Sequence, residues 1–362
     1  MEPLAPGTWA WKRAWLVSNQ AQRAHQTLTS GRGRKAQSRL SLLSLVGGSL
    51  LIVLLVHPAG NLAGGRTDDG VRGGDTDVGR DHAMSFRDSS TNGGNGVGII
   101  GLSANGGWGA MSHYPALRAL PEYFTLNGLA AGNPASAAAA AAKYGVPYHT
   151  ASAAALAARD DIDLLVVAVN LPQHRALLES IIPSSKAIYC EWPLGTDPAQ
   201  SQALTDLADH YHCRTFIGLQ ATHSPYVRRL KAILDDAASG TMRSCTILGG
   251  DPSRARQTVS RYRYAQAQEN GVNTLTIPFV HLLAALRYLF GELTHMAALT
   301  RCAFPQVYLA DTGETIPRTA TDNVLFSGQT ADGGLINAIY SGALKGRLRL
   351  RKQTWKRRKR SR

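Results

Sequence analysis

The sequence predicts an α/β Rossmann domain, a doubly wound parallel sheet, followed by an α+β domain with an open-faced sheet. Three features lead to this prediction: a glycine-rich turn after an apolar run, alternating strand and helix patterns, and a change to half-buried strand patterns after Gln220. The chain has 362 residues, of which 44% are apolar and 18% charged, so it is long enough for two globular domains.

The net charge of +14 lies at the two ends of the chain. Residues 1–83 hold 10 Lys/Arg and 6 Asp/Glu, residues 345–362 hold 11 and none, and residues 84–344 hold 18 and 19. Because the middle is near neutral, we expect no direct nucleic-acid contact by the core. The basic tail at 345–362 is typical of a solvated tail, and its "KRRKR" run could act as a nuclear import signal.

The first 83 residues form an extension with one apolar run, "SLLSLVGGSLLIVLLV" at 41–56. Its 16 uncharged residues are slightly fewer than the roughly 17–25 that span a bilayer. Two interpretations remain open: a membrane anchor through 41–56, or translation that starts at Met84 and gives a cytoplasmic or nuclear protein.

Residues 84–219 carry the Rossmann pattern. "GVGIIGL" reads as a strand that enters a glycine turn, and a helix-like segment follows it. Further strands are predicted at "FTLNGLAAG", "IDLLVVAVN", "AIYCEWPL" and "RTFIGLQ", and helices at "ASAAAAAAKYG", which Gly145 stops, and "DPAQSQALTDLADHY". Strands and helices in this alternation place a ligand crevice at the carboxyl ends of the strands.

Residues 220–344 read differently. "SPYVRRLKAILDDAASG" predicts a helix with Ser224 as N-cap, Pro225 in the first position and Gly240 as the stop. "MRSCTILGG", "DNVLFSGQT" and "LINAIYSGAL" predict antiparallel strands, and "HLLAALRYLFG" predicts a helix that His281 opens.

The four cysteines, Cys190, Cys213, Cys245 and Cys302, are widely spaced and form no C-x-x-C pair. This spacing favours reduced structural cysteines over a zinc site or a disulfide framework, and we predict no metal centre.

These residues resemble the Gfo/Idh/MocA family, the oxidoreductases of the glucose-fructose oxidoreductase, inositol dehydrogenase and rhizopine-catabolism type. The motifs are the turn at Gly101, "DIDLLVVAVNLPQH", "CEWPL" where the family usually has Glu-Lys-Pro, and "NGVNTLTIPFVHLLAAL". "GLSANGGWGAMSHYPAL", "LQATHSPY" and "ENGVN" are similar to the fungal galactose-regulon repressor branch. The resemblance implies a second domain that continues beyond Leu344, so the chain is truncated with a sheet edge left unpaired, and it implies a possible homodimer.

A nicotinamide dinucleotide, NAD or NADP, is the cofactor that the resemblance implies. The turn fits imperfectly, because Ser103 stands where a second glycine is expected and the simple G-x-G-x-x-G spacing is absent. The candidate cofactor-binding residues are Gly98, Gly101, Ser103, Asn105, Gly106, Gly107, Trp108, Asn170, His174, Glu191 and Trp192. After the second strand, Ala131-Gly132-Asn133 offers neither a carboxylate for a ribose nor an arginine for a 2′-phosphate, so NAD and NADP stay open.

Catalytic members of the family are known for a lysine after the glutamate and for an Asp and a His four residues apart. Here Trp192 replaces the lysine, Ile277 replaces the aspartate, and His281 remains as the candidate catalytic residue. His174 is expected to pack rather than catalyse.

Two functions remain open. One is a cofactor-sensing regulator with weakened catalysis, whose partner is a transcriptional activator. The other is an active NAD(P)-dependent oxidoreductase that acts on a small hydroxylated or carbonyl substrate.

Overall fold

The computed structural model describes residues 41–45, 49–55, 94–236 and 240–342. Met84 and the basic tail, on which the predicted start site and the import signal depend, lie outside the described residues. Within the extension, β1 (Ser41–Leu45) and β2 (Ser49–Leu55) form an antiparallel hairpin. The two segments are therefore strands, and the location of the protein stays a prediction.

A sheet of six parallel strands forms the first domain. Its strands are β3 (Asn95–Ile100), β4 (Phe124–Ala130), β5 (Tyr148–Thr150), β6 (Leu164–Val167), β7 (Ala187–Glu191) and β8 (Thr215–Gly218). The order across the sheet is β5-β4-β3-β6-β7-β8. This is the predicted doubly wound topology, and the order reverses between β3 and β6.

Helices connect these strands and cover the sheet. They are α1 (Tyr114–Arg118), which continues a π-helical turn at Gly109–His113, α2 (Pro134–Tyr144), α3 (Ala153–Ala157), α4 (His174–Ile181) and α5 (Pro198–His210). Asn133, Ser152 and Asp197 cap three of them, because each side-chain oxygen accepts a hydrogen bond from a backbone N–H in the first turn. Gly145 ends α2 in the left-handed conformation, as predicted.

The second domain contains α6 (Pro225–Leu234), α7 (Val280–Phe290) and two sheets. Its strands are β9 (Ser244–Gly250), β10 (Gln257–Thr258), β11 (Leu293–Arg301), β12 (Gln306–Leu309), β13 (Thr315–Pro317), β14 (Asn323–Thr330) and β15 (Leu335–Ser341). The larger sheet has the order β1-β2-β9-β15-β14-β11, and β10, β12 and β13 form the smaller one.

The structure corrects one expectation about the larger sheet. β9 and β15 are parallel rather than antiparallel, because the chain between them passes through α7, β11 and β14 before it returns. Among the described strands β1 and β11 lie at the edges of this sheet, and β2 pairs with β9 along its whole length from Ser244 to Gly250. This pairing occupies backbone groups that an open edge would expose.

Helix α6 begins at Pro225 as predicted but ends at Leu234, before the predicted stop at Gly240. Asp235 and Asp236 follow its last turn, and acidic residues are unfavourable at the negative end of a helix dipole. Ser224 occupies the N-cap position, but its side chain makes no capping hydrogen bond.

Helix α7 forms the core of the second domain. Leu282, Ala285, Leu286 and Leu289 are all buried. Among the described residues, the stretch Gln268–Phe290 has the length and apolar composition of a membrane span, and 44% of its apolar 18-residue window is buried in the protein. Its buried face packs on the larger sheet through Phe326 and Ile336.

Within the described part of the chain, no element covers the other face of the larger sheet, which carries a row of apolar side chains. Leu299 pairs with Leu325, Leu325 with Ile339, and Ile339 with Leu248, so the four residues lie side by side across four strands. Leu299 is 71% exposed, Leu325 46% and Ile339 47%. We call these four residues the apolar row.

Candidate crevice at the strand ends

The glycine turn leaves β3 at the point where the order of the parallel sheet reverses. Gly101, Gly106 and Gly107 all have positive φ, which only glycine adopts readily. A Cβ on Gly101 would lie 2.5 Å from the carbonyl oxygen of Ala168, so the turn packs tightly against the end of β6. A Cβ on Gly106 or Gly107 would meet no atom within 4 Å, so these two residues line open space.

Gly98 has a different role from the one its position in the motif predicts. It is buried inside β3, where a Cβ would lie 3.0 Å from the side chain of Leu156. Its lack of a side chain therefore makes room for Leu156 of α3, and its contact with a cofactor stays a prediction.

Two side chains of α2 hold the turn in place. Tyr144 donates its hydroxyl proton to the Ser103 carbonyl at 2.9 Å, and the Lys143 ammonium donates to the Ala104 carbonyl at 2.5 Å. Ser103 Oγ accepts from the Asn105 backbone N–H at 3.2 Å, which closes a tight local turn. Sequence reasoning missed Lys143 and Tyr144, because they lie about forty residues from the turn.

The turn leads into the helical segment that begins at Trp108. The Trp108 side chain is 47% exposed, directly after the open glycines. An exposed aromatic ring at this edge can stack on a planar ligand group.

The residues directly after β4, where the resemblance implies that the adenosine ribose binds, are Ala131, Gly132 and Asn133, and none of these three carries a charged side chain. Asn133 follows β4 closely, and its Oδ1 accepts the Ser136 backbone N–H at 2.8 Å as the cap of α2. The amide oxygen is thus occupied in capping, and Gly132 beside it faces open space. The geometry leaves the choice between NAD and NADP open, as the sequence did.

Glu191, the last residue of β7, lies at the centre of a side-chain cluster. His113 Nε2 is 2.7 Å from Glu191 Oε1, and Gln220 Nε2 lies 3.1 and 2.9 Å from its two carboxylate oxygens. Gly218 makes room, because a Cβ there would lie 2.8 Å from Oε2. His113 and Gln220 come from the turn-helix segment and from the end of β8, and sequence reasoning did not single them out.

Trp192 lies where the family's lysine is expected and links the two domains. Its indole N–H donates to the Thr276 carbonyl at 2.6 Å, and a cis peptide bond joins it to Pro193. Ile277, at the expected aspartate position, packs beside Leu171, Ala265 and Val272 in an apolar cluster. Neither side chain can move a proton.

His281 lies partly buried near the start of α7, as predicted. Burial lowers its pKa, and the charge of Glu191 opposes this shift. Burial thus favours the uncharged form of the imidazole.

His174 is buried, with 1% of its surface exposed, which agrees with the packing role expected for it. Its Nε2 lies 3.1 Å from the Val169 carbonyl, and its Nδ1 lies 3.3 Å from the Leu194 carbonyl and 3.6 Å from Cys190 Sγ. The ring therefore ties the ends of β6 and β7 together, and a direct cofactor contact would require one of these bonds to break. Burial lowers its pKa. Asn170 is exposed at the start of the turn after β6.

Comparison with known proteins agrees with this architecture. Residues 96–219 match the oxidoreductase family with an NAD-binding Rossmann fold, and residues 225–353 match the Gal80p C-terminal domain family. The chain thus joins a domain of the oxidoreductase family with an NAD-binding Rossmann fold to a domain of the Gal80p C-terminal type. This confirms the predicted family, its repressor-like branch and the order of its two domains.

The relatives of this chain include both an enzyme and regulators. The dehydrogenase aclE of Aspergillus oryzae is 32% identical over 223 residues, which cover 60% of each chain. The regulatory protein GAL80 of Saccharomyces cerevisiae is 26% identical over 265 residues, which cover 69% of this chain and 60% of that one. The chain thus spans about 60% of the length of these two curated relatives.

The fold also matches a solved structure of a regulator. A super-repressor mutant of Gal80p from Saccharomyces cerevisiae superposes with a TM-score of 0.66 at 22% identity, covering 70% of each chain. At this level of identity the likeness concerns the fold.

Proposed function

We propose that the protein binds a nicotinamide dinucleotide and acts as a cofactor-sensing regulator in which the family's hydride-transfer relay is lost. The crevice fits such a cofactor, because Gly106 and Gly107 leave open space at the start of a helical segment. A bound nicotinamide dinucleotide would supply hydride-transfer chemistry. The Lys143 ammonium, held on the turn, adds a positive charge near the place of the pyrophosphate.

One observation carries the regulatory role: Trp192 is fixed to the Thr276 carbonyl where the relay lysine would stand. A tryptophan cannot donate a proton to a substrate oxygen as an ammonium does. With Ile277 packed among apolar side chains, two of the three expected relay positions carry no ionisable group.

The uncovered face of the larger sheet supports a protein partner. Leu299, Leu325 and Ile339 of the apolar row are exposed, and a contiguous apolar surface of this kind commonly marks a protein contact. An activator segment or a second copy of the chain fits this chemistry. The nucleus or the cytoplasm is the proposed location.

Titration of the full chain with NADH and NADPH tests cofactor binding through quenching of tryptophan emission. We expect saturable quenching, with a smaller amplitude in Trp108→Ala because that ring lies beside the turn. A folded protein that shows no binding to either dinucleotide by calorimetry would contradict the proposal.

A second candidate is an active dehydrogenase, and the Glu191 cluster favours it. His113, Glu191 and His281 are ionisable groups that could accept a hydroxyl proton in place of the missing lysine. Steady cofactor reduction with a polyol or sugar panel that is lost in His281→Ala and Glu191→Gln would favour the enzyme. Strengthened capture of an activator segment by dinucleotide, without turnover, would favour the regulator.

A further inference from the structure

We propose that the protein forms a homodimer in which β11 pairs antiparallel with β11 of a second copy, about a two-fold axis at Ala298. The inference goes beyond the proposed function and does not depend on cofactor binding. β11 lies at an edge of the larger sheet, and among the described strands β14 is the neighbour that pairs with it. The other side of an edge strand presents backbone N–H and C=O groups to which a further strand can bind.

The length of β11 sets it apart from the edge strands of the parallel sheet. β11 has nine residues, whereas β5 has three and β8 has four. Proteins commonly protect sheet edges by keeping the edge strand short or by placing proline or lysine in it. β11 contains neither residue, and its one permanently charged side chain is Arg301 at the last position. A bulge near Leu293 interrupts the pairing at the start, which leaves 295–301 as a regular, unprotected strand.

Both faces of β11 are exposed. Every residue in 294–301 is exposed, including Met296 at 63% and Leu299 at 71%. Met296 lies on the same face as Ala298, which pairs with the buried Phe326 under α7. Leu299 belongs to the apolar row on the opposite face. A strand added at the edge contacts side chains on both faces at once, whereas a partner on one face would leave the other exposed.

The sequence of β11 is suited to pairing with itself. A two-fold axis at the centre of 295–301 places the small side chain of Ala298 opposite its own copy. On either side of the axis, large side chains lie opposite small or polar ones, and no two permanently charged residues oppose each other. The opposed pairs are Ala298 with Ala298, Leu299 with Ala297, Met296 with Thr300, and Arg301 with His295. Because both copies present the same strand, the contact is closed by symmetry, which favours a second copy over an unrelated strand.

The pairing leaves the open face of each larger sheet accessible. A two-fold axis perpendicular to the sheets keeps the two open faces on the same side, so the larger sheets of the two copies join into one. Leu299, at the end of the apolar row, then lies next to Ala297 of the second copy. The edge contact is therefore distinct from a contact through the apolar row, and the two can exist together.

Sedimentation equilibrium of the full chain tests the inference. We expect a monomer–dimer equilibrium that depends on protein concentration. Ala298→Lys places two ammonium groups opposite each other across the axis, and should raise the dissociation constant of the dimer by roughly tenfold or more. Ala298→Asp should have the same effect through two carboxylates. An equimolar mixture of the two variants should recover the dimer, because each ammonium then faces a carboxylate.

Thr246→Lys is the matched control. It adds the same charge at an exposed position on the open face, in β9 rather than at the edge, and should leave the dissociation constant unchanged. The inference is overturned if the full chain sediments as a monomer at every concentration, or if Ala298→Lys, shown to be folded by circular dichroism, dimerises as the wild type does. It is also overturned if Thr246→Lys dissociates the dimer equally, which would assign the contact to the open face, or if the mixture does not recover the dimer.

Discussion

The two six-stranded sheets of this protein bury their surfaces in different ways. In the parallel sheet, every residue of β6 from Leu164 to Val167 is buried, because helices cover both faces. In the mixed sheet, β15 alternates between exposed and buried residues from Leu335 to Tyr340, because α7 covers one face only. The first sheet can meet a ligand only at its strand ends, whereas the second offers a whole face.

Side-chain truncation in the two sheets should give the largest contrast. Leu165 is fully buried in β6, so Leu165→Ala should lower the free energy of unfolding by about 2–5 kcal/mol. Leu325 is 46% exposed in the apolar row, so Leu325→Ala should change the free energy of unfolding by no more than about 0.5 kcal/mol. Urea denaturation measures both. Similar losses at the two positions would mean that the open face is covered in solution.

A strained backbone should lower dinucleotide affinity when it lies in the glycine turn of the first domain but not when it lies in the second domain. Gly101→Ala forces a side chain into a positive φ and against the Ala168 carbonyl, and we expect dinucleotide affinity to fall at least about tenfold. Gly333→Ala imposes a similar positive φ on the turn between β14 and β15 and serves as the control. Calorimetry should find its dinucleotide affinity unchanged. Equal losses of affinity in the two variants would show that the crevice depends on the second sheet.

Low pH should lower the free energy of unfolding of the first domain, by less than the substitutions above. Burial holds the pKa of His174 below its ordinary value of 6.5, so between these two pKa values the unfolded chain binds more protons than the folded one. Stability is therefore full above pH 6.5 and falls as the pH drops below it. We expect a loss of about 1 kcal/mol between pH 7.5 and 5.5.

The control for this pH effect is an exposed histidine of the same sheet. His174→Gln should flatten the dependence of the unfolding free energy on pH, whereas His149→Gln on the exposed side of β5 should leave it in place. The pH series is measured by urea denaturation in matched buffers. A His174→Gln slope equal to that of the wild type would assign the effect to another group.

The order of the elements was predictable, because local patterns report them. Alternating strands and helices through residues 95–218 and the positive-φ glycines at the turn appear as the sequence indicated. The role of Gly98 was not, since a glycine in a motif looks the same whether it faces a ligand or a helix. Only the packing of Leu156 against it shows which applies.

The Glu191 cluster illustrates the same limit at the site. Glu191 was visible as a candidate, but His113 lies 78 residues before it and Gln220 lies 29 residues after it. No local period joins such positions. A strand end, a helical segment and a neighbouring strand end meet only when the sheet has formed.

The sequence by itself determined the fold class, the glycine turn and the replacement of two relay residues by Trp192 and Ile277, because each depends on residue type and short-range pattern. Tertiary structure alone decided that His174 is buried between two carbonyls, that β2 pairs with β9, and which side chains surround Glu191. The reason is physical: burial, strand pairing and charge balance depend on groups far apart in the chain that only folding brings within a few ångströms of one another.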